Sequence, residues 1–257
     1  MPPPSSSFWK DRIQVSALHF SLNVLVAALA AMLVFGLWYP YPYRDISGGR
    51  ELFLLVVAVD VIMGPLVTLA IFDRRKSWVL LRRDLFVVVL LQLSALGYGL
   101  WTVAMARPVH MVFEIDRFRI VHAIEIPDEL LPKTPEGITA RPYTGPSLLG
   151  LRPFKDGQEQ MEATMAALQG VTLSSRPDLW QSYDASRQDV LRLAKPVGQL
   201  RQRFPAQLAA IDAALAGKGA AADAAQYLPL AGRKDFWTVL VDGRNGDILG
   251  FLPLDSF

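Results

Sequence analysis

The 257-residue chain is too apolar for an ordinary soluble protein, because 52% of its residues are hydrophobic and its mean hydropathy is +0.27. It contains no cysteine, which excludes disulfides, thiolate catalysis and thiolate metal sites. Its 26 Lys and Arg residues nearly balance 24 Asp and Glu residues, so its charge gives no indication of nucleic-acid binding.

Three apolar runs predict membrane-spanning helices. They extend from about Val15 to Trp38, from Leu52 to Phe72 and from Leu85 to Met105. A helix of about 20 residues crosses the roughly 30 Å hydrocarbon core of a bilayer. We therefore expect a three-helix transmembrane region over residues 15–106, preceded by a disordered cytoplasmic tail over residues 1–14.

The loop between the second and third runs carries a cluster of basic residues, at Arg74, Arg75, Lys76, Arg82 and Arg83. The positive-inside rule places such a loop in the cytoplasm. Three spans then put the N-terminus in the cytoplasm and everything after Met105 in the periplasm of a Gram-negative cell. The first run could instead be a cleaved signal peptide, but its length and the aromatic cluster after it favour a retained span.

Residues typical of the membrane interface follow two of the predicted spans. Trp38, Tyr39 and Pro40 come after the first run, and Arg107 and Pro108 come after the third. Aromatic rings with a polar edge concentrate at the headgroup level of a bilayer. We expect the first group to anchor its span there, and Arg107-Pro108 to hold the following domain at the membrane surface.

Asp60 is a lone carboxylate near the middle of the second run, where lipid offers no partner for a charge and an ionisable residue indicates function by default. Counting 1.5 Å per residue places Tyr98 at a similar depth, and Gln92 and Asn23 deeper. A Tyr98 hydroxyl donating to the carboxyl group would satisfy Asp60 within the chain. Alternatively, Asp60 meets a polar group on another membrane helix.

Gly64 and Pro65 follow Asp60 by one turn. A proline inside a helix frees a backbone carbonyl and bends the helix, which predicts a groove beside the acid. We interpret Gly97 and Gly99 as sites of close helix packing. His19, near the cytoplasmic end of the first span, is expected to extend toward the membrane interface or to bond locally rather than to move protons.

The region 107–257 predicts an α+β periplasmic domain with an antiparallel sheet. Alternating apolar residues indicate one hairpin over Val109–Ile126 and another over Phe236–Leu252. Prolines and glycines predict an extended loop over residues 127–154. Helical spacing appears in three segments, at 161–168, 186–194 and 205–217.

Motifs that carry enzyme chemistry do not stand out. The sequence has no zinc-protease helix motif, no nucleophile elbow and no phosphate loop. We therefore expect a protein that is not an enzyme and that needs no cofactor or metal.

Several segments together resemble the type IV pilin accessory proteins of the TfpX/TfpZ group. They are residues 59–69, 83–85, 91–99 and 106–109, together with His19 and the Leu37-to-Pro40 segment after the first span. Within these segments and beside them lie the candidate residues for an interaction in the membrane, Asp60, Gly64, Pro65, Tyr98, Gln92, Asn23 and His19.

The resemblance implies an inner-membrane protein that acts as a dedicated chaperone or assembly modulator for a particular pilin. Before assembly, such a pilin lies in the bilayer as one apolar helix with a glutamate near its start and a globular head in the periplasm. We expect the groove to hold the helix and the outer domain to engage the head. The alternative is a membrane-anchored periplasmic module that binds a ligand or acts as a sensor.

Overall fold

The computed structural model describes residues 6–73 and 76–257. The chain divides into two units. A helical unit contains the apolar helices, and a sheet unit consists of Trp38–Gly48 and Ala106–Phe257. Residues 1–5 of the predicted tail, and Arg74 and Arg75 of the predicted cytoplasmic loop, lie outside the described residues.

The first unit consists of helices, and the second unit contains further helices besides its sheet. In chain order they are α1 Ser6–Leu33, α2 Tyr43–Ile46, α3 Gly49–Ala58, α4 Gly64–Ile71, α5 Trp78–Met105, α6 Gly157–Leu168, α7 Tyr183–Leu193, α8 Val197–Arg203, α9 Leu208–Leu215 and α10 Ala220–Asp223. Two π-helical turns, Val34–Trp38 and Val59–Met63, extend α1 and join α3 to α4.

Within residues 6–73 and 76–257, three helices are long and apolar enough to cross a membrane: Trp9–Trp38, Gly49–Ile71 and Trp78–Met105. We call them the first, second and third apolar helices. Their number agrees with the sequence prediction. Residues 6–14, which were predicted to be disordered, are instead helical, because no proline after Pro4 interrupts α1.

The second apolar helix packs against both of the others. A Cβ atom at Gly99 would lie 2.6 Å from Val56 Cγ1, so the third helix approaches the second closely at this glycine. A Cβ atom at Gly97 would meet no atom within 4 Å. The predicted close packing is therefore correct for Gly99 and wrong for Gly97, which lies on an open side of the helix.

The sheet unit is built on one sheet with the strand order β4-β3-β1-β2-β6-β7-β8, and β5 pairs with β6. The strands are β1 Pro108–Glu114, β2 Arg117–His122, β3 Ser147–Leu151, β4 Trp180–Ser182, β5 Lys195–Pro196, β6 Ala225–Ala231, β7 Phe236–Asp242 and β8 Ile248–Leu252. The two predicted hairpins, β1–β2 and β7–β8, are both present.

The sheet is mixed, so the prediction of an antiparallel sheet is wrong in this respect. β3, from the predicted loop, pairs parallel to β1, and β6 pairs parallel to β2 and joins the two hairpins. β6 contains Pro229, which makes a strand hard to predict. The proline is tolerated because it lies between the residues that pair with β5 and those that pair with β2.

Strand β1 is buried on both faces. Met111 and Phe113 point into a core that includes residues of α7, whereas Val112 points into a second core with Trp180 and the loop after β2. The polar residues of β1 are buried too, and each has a partner; Glu114, for example, accepts a hydrogen bond from Arg119 Nε at 2.7 Å. Burial on two faces explains why this strand is central.

The segment Trp38–Gly48 belongs to the sheet unit, although the sequence analysis assigned it to the transmembrane region. Tyr39 is fully buried, and burial raises the pKa of its hydroxyl group. Tyr43 and Ile46 pack into the core that contains Met111. The Tyr39 ring therefore lies inside protein, while Trp38 and Pro40 are half-buried.

Arg107 is also buried, next to Pro108 at the start of β1. Its guanidinium group donates to the carbonyl of Pro142 at 3.1 and 3.2 Å and to the carbonyl of Arg141 at 3.4 Å, and it lies over the ring of Tyr143. Arg107 thus fixes the loop before β3 against the first residue of the sheet.

His110 holds the same loop from inside the protein. Its Nε2 lies 2.9 Å from the carbonyl oxygen of Ala140, and its Nδ1 lies 2.6 Å from the hydroxyl oxygen of Ser147. Because a carbonyl only accepts, Nε2 carries the proton, and in the neutral ring Nδ1 accepts from Ser147. Burial lowers the pKa of His110 to about 4.

We predict that the sheet unit loses stability in acid because His110 resists protonation in the fold. The folded protein binds this proton less tightly than the unfolded chain, whose His pKa is the ordinary 6.5. The contribution of neutral His110 to the free energy of unfolding is therefore complete above pH 6.5 and is lost as the pH falls toward 4. The free energy of unfolding should decrease by about 2 kcal/mol between pH 7.5 and pH 5. Denaturant titrations followed by tryptophan fluorescence measure this decrease, since Trp180 packs against the ring.

The matched control is His110→Gln, which removes the titrating group. Its unfolding free energy should vary less between these pH values than that of the wild type, whatever its absolute stability. An equally steep loss in the variant would assign the acid sensitivity to another group.

Candidate functional site

The second apolar helix changes geometry at Asp60. This residue lies in the π-helical turn Val59–Met63, which is followed directly by Gly64 and Pro65. In a π turn a carbonyl pairs with the N–H group five residues later. For Asp60 that residue is Pro65, which has no N–H group. The main-chain carbonyl of Asp60 is thus left without a helical partner, at a position where lipid would supply none.

Side-chain amides from both neighbouring helices bind this carbonyl. Asn23 Nδ2 donates to it at 2.9 Å and Gln92 Nε2 at 3.5 Å. Gly64 leaves room for them, because a Cβ atom there would lie 1.9 Å from Gln92 Nε2 and 2.9 Å from Asn23 Nδ2. The three helices therefore meet at one level, held by polar groups.

The depths predicted for Asn23 and Gln92 were wrong. Residue counting placed both deeper than Asp60, whereas the structure places both beside it. The count began at the ends of the apolar runs, but α1 and α5 each begin several residues before their runs. The ends of the apolar runs therefore do not mark a common depth for the three helices.

A row of polar side chains continues along the first apolar helix at helical spacing and faces the second helix. Its contacts are Arg12 Nη1 to the carbonyl of Leu69 at 3.3 Å, Ser16 Oγ to the carbonyl of Pro65 at 2.8 Å, and His19 Nδ1 to Thr68 Oγ1 at 2.7 Å. Sequence analysis missed Ser16 and Thr68. The spacing of positions 12, 16, 19 and 23 is the signal that could have found this row.

Tyr98 does not bond to Asp60, so that prediction was wrong. Its side chain is 69% exposed, and its ring packs beside Trp101 with the centroids 5.8 Å apart. It lines a second groove of about 240 Å³ along the second and third helices, which Asp60 also borders. The Asp60 side chain is buried and has Gln92 and His19 as neighbours.

A larger groove of about 310 Å³ lies between the first and third apolar helices, with the second helix as its floor. Asp60 and Thr68 lie on the floor, and His19, Asn23 and Gln92 lie on the walls. The remaining lining residues are apolar: Val15, Leu18, Leu22, Val26, Leu85, Val88, Val89, Leu93 and Leu96. Four of the seven predicted residues thus line one groove. Gly64 lines a neighbouring groove of about 180 Å³ that Asp60 also borders, and the Pro65 carbonyl accepts a hydrogen bond from Ser16.

The groove is long enough, and its lining has the chemistry, for a helix to lie along it. Val15 to Val26 on one wall corresponds to about 17 Å of helix length. Apolar walls suit apolar side chains, and the polar residues inside offer hydrogen-bond partners that lipid lacks. An apolar helix that carries a polar group fits this arrangement.

Comparisons with known proteins place the chain among proteins of fimbrial assembly. A family described as "Fimbrial assembly protein FimB" matches residues 7–48. The fimbrial assembly protein of serogroup I from Dichelobacter nodosus is 34% identical over 246 residues, which are 95% of each chain. The protein of serogroup E1 from the same organism is 33% identical over the same share of both chains.

A shorter relative, the fimbrial assembly protein of serogroups C1 and C2, is 40% identical over 120 residues, which are 47% of this chain and 92% of the relative. No solved structure matches the chain. The identity over almost the whole length agrees with the resemblance to pilin accessory proteins found in the sequence. The chain belongs to the fimbrial assembly protein family.

Proposed function

We propose that the chain is an inner-membrane accessory protein of type IV pilus assembly, and that it acts as a chaperone or assembly modulator for one pilin by holding its membrane helix. The observation that carries this proposal is the groove of about 310 Å³ with apolar walls and polar residues inside. The names of the relatives, fimbrial assembly proteins, support a role in the same process.

The polar residues of the groove can supply a hydrogen bond to a polar group of the proposed partner. A pilin glutamate in lipid requires a hydrogen-bond partner. Asn23 and Gln92 already donate to Asp60, but His19 uses one ring nitrogen for Thr68 and has a second nitrogen available to an occupant of the groove. His19 also precedes Asn23 by four residues, which is about 6 Å toward the N-terminal end of the helix.

This position fits the proposed orientation. With the N-terminus in the cytoplasm, as the basic loop favours, His19 lies nearer the cytoplasmic face than Asp60 does. The glutamate near the start of a pilin helix is expected at that side too. We therefore assign the pilin contact to His19 rather than to Asp60 or Tyr98, and we place the sheet unit in the periplasm.

A ligand-binding or sensory role has less support. A cleft of about 210 Å³ in the sheet unit includes Arg152, Asp189 and Arg192 in its lining. Arg152 pairs with Glu159, and Arg192 pairs with Asp189, so these charges are engaged within the protein. The proposed role assigns no catalytic step to the chain.

Filling the groove should prevent capture of the pilin. Leu22 of the first apolar helix and Leu93 of the third both line the groove, and both side chains are largely exposed. The double variant Leu22→Trp, Leu93→Trp should reduce the pilin that co-purifies from detergent extracts at least fivefold. Leu25→Trp is the control, because Leu25 is similarly exposed but does not line this groove. Unchanged capture by the double variant would rule the groove out as the pilin site.

The polar contact can be tested separately from the groove's shape. His19→Phe should weaken capture about fivefold, whereas Tyr98→Phe should leave it unchanged because that ring packs against Trp101. A pilin whose helix glutamate is replaced by leucine should lose its sensitivity to His19→Phe. Equal loss with both pilins would mean that His19 does not contact the glutamate.

The orientation has its own test. Alkaline phosphatase fused after Phe257 should be active, because this enzyme folds in the periplasm, and a cytoplasmic reporter at the same position should be silent. The opposite pair of results would place the sheet unit in the cytoplasm and remove the basis of the proposal.

A further inference from the structure

Helix α6 turns its apolar side toward solvent. Met161, Met165 and Leu168 are 58%, 51% and 78% exposed. On the opposite side, Ala163 is fully buried. The sequence predicted this helix from these three apolar positions, and the helix is present, but the stripe they form does not face the core.

An ion pair and a cap fix α6 in this rotation. Arg152 donates to both carboxylate oxygens of Glu159, at 2.7 and 2.9 Å, and lowers the pKa of Glu159 to about 2. The Asp156 side chain caps the helix by accepting from the main-chain N–H of Glu159 at 2.8 Å. These contacts lie on the side of Ala163, so the methionines must point outward.

The stripe lies near the end of the sheet at which β1 and β3 finish. β1 starts two residues after Ala106 and runs for seven residues, about 20 Å. β3 runs parallel to β1, so the chain enters α6 from the end of the sheet opposite Ala106.

Two further apolar features occupy the same end. Ile115, between β1 and β2, is 70% exposed and has a backbone φ of 55°, a conformation that is strained for a β-branched residue. Ile115 also borders the cleft of about 210 Å³. The segments that lead into and out of α6 contribute Phe154 and Leu173 to this cleft. We call Ile115, the cleft and the α6 stripe the distal face.

We propose that the distal face docks the water-exposed domain of the same pilin whose helix occupies the membrane groove. This inference rests on the proposed function. The stripe contains no charged residue, and α6 as a whole contains no Lys or Arg, so the stripe suits an apolar patch on a protein rather than anionic lipid. The cleft beside it is lined by Arg152, Asp189 and Arg192, which are paired with Glu159 or with each other.

The size of the stripe argues against a second copy of the chain as the occupant. Twelve helical residues, about 18 Å long and 10 Å wide, offer roughly 200 Å² of contact. A stable interface buries about 800 Å² on each partner. A contact of this size is weak alone but effective when the groove tethers the same pilin, because tethering raises the local concentration to about the millimolar range.

The methionines suit such a contact. Their side chains are flexible and polarisable, so they adapt to a partner surface without a fixed complementary shape. The docking would hold the pilin at two points, its helix in the groove and its soluble domain on the distal face.

Site-directed crosslinking tests the contact directly, since the chain has no cysteine of its own. Met165→Cys in the full-length protein, labelled with a thiol-linked photoreactive group in membranes that contain the type IV pilin, should crosslink to that pilin. Lys133→Cys, an exposed position in the loop before β3, should give at least fivefold less product. Equal crosslinking at both positions, or crosslinking of Met165→Cys only to a second copy of the chain, would overturn the inference.

Polar variants separate this inference from the proposed function. Met161→Gln with Met165→Gln should reduce pilin capture several-fold without unfolding the chain, because both side chains are exposed. Ala167→Gln, at an exposed position on another side of α6, is the control. If the groove variant loses the pilin while the stripe variant captures it normally, the distal face is wrong and the proposed function stands. If the wild type captures no pilin, both are wrong.

Discussion

The structure of the helical unit depends on one carbonyl group, that of Asp60. The π turn and Pro65 together leave this carbonyl without a main-chain donor. In water a solvent molecule would replace the donor, but hydrocarbon contains none. Asn23 and Gln92 supply the missing hydrogen bonds from the two other helices. A local defect in one helix thereby determines where all three meet.

The groove follows from this arrangement. The second helix lies between the other two, so the first and third are kept apart and the space between them has a polar floor. The row that includes Ser16 and His19 fixes the first helix to the second along the remaining length. Lipid chains cannot hydrogen-bond to the polar residues inside the groove, whereas a helix with a polar group can. This difference favours a protein occupant.

The sheet unit presents a second surface of a different kind. Its core forms because β6 joins the two hairpins and because Tyr43 and Ile46, from the segment between the first two apolar helices, pack beneath the sheet. Its α6 stripe and Ile115 are apolar and exposed at the end of the sheet where β1 finishes. Under the proposed function, the groove and this small adaptable face together would suit a partner with one membrane helix and one soluble domain.

The three apolar helices, the two hairpins and the positions of the three main helical segments could be predicted from the sequence, because hydrophobic period and turn residues are local signals. The sequence also marked Asp60, Asn23, Gln92 and His19 as polar residues in apolar runs. The tertiary structure was needed to show that these four line one groove, that the exposed Tyr98 packs beside Trp101 without bonding to Asp60, and that β3 and β6 make the sheet mixed. Those outcomes depend on helix rotation, relative level and strand partners distant in sequence, which residue spacing alone does not specify.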